Sequence, residues 1–146
     1  MNYFKAAEQL LSSVPALEQA GMNLEKRLEW LAESGKPQGI EEFNLDKSYQ
    51  TAREANDTLS SFLAVTECKR NIAENRKTLE EIYCVLEQLP KEQKELLEMW
   101  YIAKCSKEEI MERLYIEGLG TIYALRNRAV SGFALRYYGA AALPSI

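Results

Sequence analysis

Residues 106–130 read SKEEIMERLYIEGLGTIYALRNRAV, two short helical patterns separated by a turn. Ser106 and Glu109 stand in S-x-x-E spacing, the capping box in which each side chain satisfies a free backbone amide at a helix start. Ile110 and Leu114, four apart, then give that helix an inner stripe. YIEGLG carries no stripe and holds Gly118 and Gly120, the punctuation of a turn. Beyond it Ile122, Leu125, Ala129 and Phe133 recur at helical spacing. Two helices this short cannot bury their own apolar faces. The preceding KEQKELLEMWYIAK (91–104) supplies a third, with Leu96, Leu97, Trp100 and Tyr101 on one side. Three such helices are the minimum that closes a core of this kind.

Working outward, composition limits what the chain can do. Hydrophobic residues make up 47% of the 146 and charged residues 27%, the balance of a folding chain rather than a disordered one. The length suits one domain, or a small domain with an extended helical part. No apolar run reaches the roughly 18 residues of a membrane span. The amphipathic start, MNYFKAAEQLL, carries Glu8 and reads as neither a signal nor a transit peptide. A cytoplasmic protein without a membrane partner is the expectation.

There is no histidine, which removes the commonest general base and metal ligand. Cys68, Cys84 and Cys105 are far apart and odd in number, with no C-x-x-C spacing. Each falls in a helical pattern, so all three read as reduced core residues. Glycine motifs for phosphates, dinucleotides or a nucleophile elbow are missing too. The sequence therefore predicts no enzyme, no catalytic residues, no metal and no cofactor.

Toward the N-terminus, Pro15 is the one proline inside a helical segment. With Ser12 or Ser13 as a cap and Pro15 in a first turn, the residues before it form a short separate helix or one limb of a kinked helix. Leu17, Leu24, Leu28 and Leu31 continue the stripe to about Glu33, and SGKPQGIEEFN (34–44) is the clearest loop. A second pattern without Gly or Pro runs from about Asp46 to Leu89, roughly 65 Å of helix at 1.5 Å per residue. Within it Val65, Ile72, Leu79 and Leu86 repeat every seven residues. Cys68, Asn75, Ile82 and Leu89 follow each by three, a heptad with polar Asn75 in its seam. The first helix is too short to cover it all. The stripe must meet the C-terminal helices, a partner chain, or both, and Val65, Ile72, Asn75, Leu79, Ile82 and Leu86 are the candidate seam of a homodimer. The alternating charges of ECKRNIAENRK (67–77) read as a solvated, salt-bridged face.

Charge is unevenly spread. Residues 1–89 carry 10 Lys and Arg against 15 Asp and Glu, a net −5, while residues 90–146 carry 8 against 7, a net +1. From Gly118 to Ile146 there are three arginines and no acid, so the end with the two-helix pattern is the basic one.

LPKEQKELLEMWYIAKCSKEEIMERL (89–114) followed by TIYALRNRAV (121–130) resembles region 4 of bacterial sigma factors. The matching positions include Leu89, Pro90, Tyr101, Ile102, Ser106, Glu108, Glu109, Ile110, Leu114, Thr121, Ile122, Tyr123, Leu125, Arg126, Arg128 and Ala129. AEQLLSSVPALEQAGMNLEKRLEWL (7–31) is similar to the coil that precedes this module in small phage and prophage transcriptional regulators of the ArpU and RinA type. The resemblance implies a three-helix helix-turn-helix that binds double-stranded DNA near a promoter and touches RNA polymerase. The turn departs from the family: YIEGLG is one residue longer, and Tyr115 stands where the turn glycine belongs.

A helical wheel centred on Ile122, Leu125, Ala129 and Phe133 turns Gly120, Thr121, Tyr123, Ala124, Asn127, Arg128 and Ser131 outward. Asn127 and Arg128 are types that read adenine or guanine edges. Thr121 and Lys107 suit phosphates. Tyr123 is divided between the outer face and lateral core packing, and Arg126 lies at the core rim, placed for a salt bridge to the previous helix. The candidate DNA-binding set is Lys107, Thr121, Tyr123, Asn127 and Arg128. The predicted protein is all-α, with an extended N-terminal helical hairpin or coiled coil (1–89), a helix-turn-helix module (90–138) and a tail (139–146). The expected function is a phage-type DNA-binding transcriptional regulator acting as a homodimer. The rival is a protein-binding module of the same fold that does not bind DNA. It would grip RNA polymerase or a host or phage protein, as an anti-sigma or anti-defence inhibitor does.

Overall fold

The computed structural model describes residues 1–34 and 47–146; the predicted loop, apart from Ser34, and Asp46 lie outside the described residues. Among the described residues every regular element is helical, and the fold is all-α. Helix α1 (Tyr3–Ser12) starts at Asn2, whose side chain accepts the Lys5 N–H. Ser13 ends it: the Ser13 hydroxyl donates to the Leu10 carbonyl at 2.7 Å, and its own carbonyl accepts the Leu17 N–H of α2 (Val14–Ser34) at 2.9 Å. Pro15 falls in the first turn of α2, where a missing N–H removes no helical bond. The N-terminal segment is thus two helices rather than one kinked one. Helices α3 (Lys47–Glu87) and α4 (Lys91–Leu97) flank Pro90, and α4 runs on into a π-helical turn, Glu98–Ile102. Then come α5 (Lys107–Leu114), α6 (Leu119–Tyr138) and a closing 3-10 helix, Gly139–Ser145.

The chain divides into two compact units. One comprises Met1–Glu18 with Lys77–Ile146, and the other Gln19–Arg76. The first unit is organised by α6, which buries Ile122, Ala129, Val130, Phe133 and Ala134. Those five positions span a wider arc than the four-residue stripe of the sequence, and α4 and α5 are too short to cover it. Helix α4 covers part, α1 covers more, and the 3-10 helix packs against both α1 and α6. Phe133 is fully buried, which stabilises by roughly 1.5–3 kcal/mol. Ala142 of the 3-10 helix is buried, the Tyr3 N–H donates to the Ser145 hydroxyl at 3.2 Å, and the Tyr3 and Tyr138 rings pack with centroids 5.0 Å apart. Residues 1–18 and 139–146 therefore group with α4, α5 and α6, rather than a boundary falling at Leu89 and a tail starting at residue 139.

The second unit pairs α2 and α3 antiparallel. The buried Cys68 thiol donates to the Leu24 carbonyl at 3.3 Å, and Arg76 pairs with Glu25 at 3.5 Å. At Gly21 the helices approach so closely that a methyl group would lie 3.1 Å from the Asn75 side-chain amide. Val65, Ile72 and Asn75 are half-buried.

This arrangement corrects the dimer seam. Ile82 and Leu86 have no exposed surface, being enclosed in the first unit's core with Ala7, Leu11 and Phe133, and Leu79 packs against that core. The C-terminal part of the heptad is enclosed within the chain because an apolar stripe packs on whichever apolar face is nearest, while Val65, Ile72 and Asn75 keep part of their surface exposed. The cysteines divide as well: Cys68 is buried and Cys105 half-buried, but Cys84 is exposed, so only the first two pack as expected. No helix among the described residues is long and apolar enough to cross a membrane.

Candidate nucleic-acid interface

Ser106 caps α5 as its spacing predicts, its hydroxyl accepting the Glu109 N–H at 3.2 Å. The helix stops at Tyr115, which takes the left-handed conformation at φ 56°, ψ 42°. From there the Ile116 N–H returns to the Met111 carbonyl at 2.9 Å and the Tyr115 N–H to Glu112 at 3.4 Å, the closing pattern usually given to glycine. Gly118, at φ 90°, leads into α6, and its carbonyl accepts the Ile122 N–H at 3.4 Å. Glu117 is exposed just ahead of the helix.

On α6, Gly120, Thr121, Ala124, Asn127 and Arg128 are all exposed, on the side away from buried Ile122, Ala129 and Phe133. Three candidates, Thr121, Asn127 and Arg128, are therefore brought together along one outer face. Tyr123 is not among them. It is half-buried, its ring meets Trp100 edge-on at 5.9 Å, and its hydroxyl accepts a hydrogen bond from the Lys107 ammonium. The cause is Trp100, a large ring on the adjacent π-helical turn that draws Tyr123 against it. Lys107 remains exposed, its ammonium 4.6 Å from the Tyr123 ring centroid and 6.0 Å from that of Trp100.

Arg126 forms the centre of a second layer behind this face. Its guanidinium lies 5.2 Å from the Trp100 centroid and 5.4 Å from that of Tyr123, both within cation–π range. It pairs at 4.0 Å with Glu8, so the expected ion pair is made to α1 and not to the preceding helix. The Tyr101 hydroxyl donates to the same Glu8 carboxylate at 2.8 Å. Burial, reinforced by that bond to Glu8, pushes the Tyr101 phenol well above its ordinary range. Arg126 Nε–H also donates to Asn127 Oδ1 at 3.0 Å.

The π-helical turn sets up this layer. Its i to i+5 bond, Ala103 N–H to the Glu98 carbonyl at 2.8 Å, inserts an extra residue per turn. Tyr101 is buried while Trp100 stays half-exposed beside Tyr123. Glu8 and Trp100 escaped the sequence reading as site residues. Trp100 was legible as core, but nothing in the spacing of Glu8 connects it with Arg126. Comparison with family models, curated proteins and solved structures finds no match to this chain.

Proposed function

We propose that the chain is a phage-type DNA-binding transcriptional regulator, with α5, the turn at Tyr115 and α6 acting as the helix-turn-helix that the resemblance to sigma region 4 implies. The observation that carries the proposal is the outer face of α6, exposed, free of acid and set with Thr121, Asn127 and Arg128. An α-helix of this diameter fits the B-DNA major groove. In that position Asn127 and Arg128 reach base edges, while Thr121 and Lys107, in the first turns of their helices, meet phosphates and fix the register. One copy carries few readers, so the proposal extends to a homodimer on DNA, in the cytoplasm, with RNA polymerase as a protein contact. The chain acts by binding, without cofactor or catalysis.

A gel-shift titration of the whole chain against duplexes from its own locus, at about 50 and 200 mM salt, tests the reading. A complex that prefers one duplex to random DNA and weakens with salt is the expected result. Absence of any complex at the lower salt sinks it.

One observation favours the rival. Tyr115 and Leu119, 93% and 56% exposed, flank the turn with Glu117 between them. An apolar patch beside an acid suits a protein surface better than a phosphate backbone. A protein-binding module is therefore the second reading, and it predicts no DNA preference.

A further inference from the structure

Asn127 is the one candidate reader whose hydrogen-bonding state is set by another side chain. An arginine has only donors, so the atom that meets Arg126 Nε at 3.0 Å must be the amide oxygen of Asn127. Arg126 is itself held on several sides: the Trp100 and Tyr123 rings flank the guanidinium, and Glu8 pairs with it from α1. Glu8 is held in turn by the Tyr101 hydroxyl. The amide of Asn127 is thereby oriented through a chain of contacts reaching back to the N-terminal helix.

We infer that Asn127 selects guanine, because the Arg126 layer engages its carbonyl oxygen and leaves its N–H donors for the base. This rests on the DNA-binding reading. An asparagine that reads adenine uses both ends of the amide, accepting from the N6 amino group and donating to N7. Here a lone pair of the accepting end is committed to a cation. The guanidinium beside it also opposes the approach of a base amino group, whose hydrogens are positive. Guanine offers N7 and O6, two acceptors, to an amide acting as a donor. Arg128, exposed on the same face, is a donor as well. The edge that complements both readers is rich in acceptors. Arg126 and Glu8 are positioning residues for this choice and touch no base.

The test is selection of bound duplexes from a randomised pool by the whole chain. Wild type should enrich guanine at the position whose preference disappears in Asn127→Ala. Arg126→Met keeps the apolar stem and removes the donor; at that same position it should raise adenine relative to guanine by about tenfold, within the range one good base contact supplies. Loss of packing alone would weaken binding to every sequence without changing which base is chosen. If Arg126→Met does not fold, Glu8→Gln, which loosens the hold on Arg126, should shift the preference in the same direction by a smaller factor. Adenine chosen by wild type, or a folded Arg126→Met that still chooses guanine, overturns the inference and leaves the regulator reading standing. A wild type that binds no duplex, or all duplexes equally, overturns both.

Discussion

Tyr115 holds a left-handed backbone that costs an L-residue roughly 1–2 kcal/mol, and its ring, 93% exposed, returns almost no packing. Tyr115→Gly should therefore raise stability by about 1 kcal/mol, seen as a later urea midpoint with an unchanged slope. A lower midpoint would mean that the ring has a contact the fold depends on. The resemblance to sigma region 4 marked this residue as standing in a glycine's place, and the left-handed backbone at φ 56° is the conformation such a glycine serves. Arg126 shows where local rules end. Its position at the core rim follows from helical spacing, but its partner Glu8 comes from the far end of the chain, where no spacing rule applies. Tyr83 adds a pH dependence. Its hydrogen bond to Glu18, helped by burial, raises the phenol from 10.0 to about 12. The folded value lies above the unfolded one, so this contribution is whole below pH 10 and is lost as pH rises from 10 to about 12. Comparing urea midpoints of wild type and Tyr83→Phe at pH 9 and pH 12 should show the wild type's advantage shrinking with alkali.

At the scale of elements, the heptad of α3 shows what periodicity contains and what it leaves out. The repeat from Val65 to Leu89 identifies an apolar stripe and its direction along the helix. It does not say whether the complementary face belongs to the same chain, since α1, α2, α6 or a second copy all offer leucines and alanines at suitable spacing. The structure gives the C-terminal part of the stripe to the chain itself, with Ile82 and Leu86 fully enclosed, and leaves Val65 and Ile72 half-buried. Ile82→Ala should then open a cavity and destabilise by about 2–5 kcal/mol. The mass measured by light scattering should stay that of wild type under conditions where both are folded. A folded variant that changes association state would return these residues to an interface between copies. Helix α6 was legible on one side only. Its inner stripe predicted the contact with α4, but the burial of Val130 and Ala134 against additional partners needs the long-range fold.

For the whole molecule, charge and topology point the same way. The net −4 conceals a division, with acid concentrated in residues 1–89 and an acid-free stretch after Gly118. That stretch contains the outer face of α6. The fold class and the outward position of three of the five candidate DNA contacts, Thr121, Asn127 and Arg128, were legible from spacing, because a helix fixes which side of itself is outward. That of Tyr123 was not, because its burial depends on a ring in another element. The central claim is that α6 reads bases. Its most direct test is to titrate wild type and Arg128→Ala against a selected duplex and a random duplex. Arg128→Ala should lose about 1–3 kcal/mol on the selected duplex and little on the random one, erasing much of the difference between them. Equal wild-type binding to both duplexes, unmoved by Arg128→Ala, would contradict the claim.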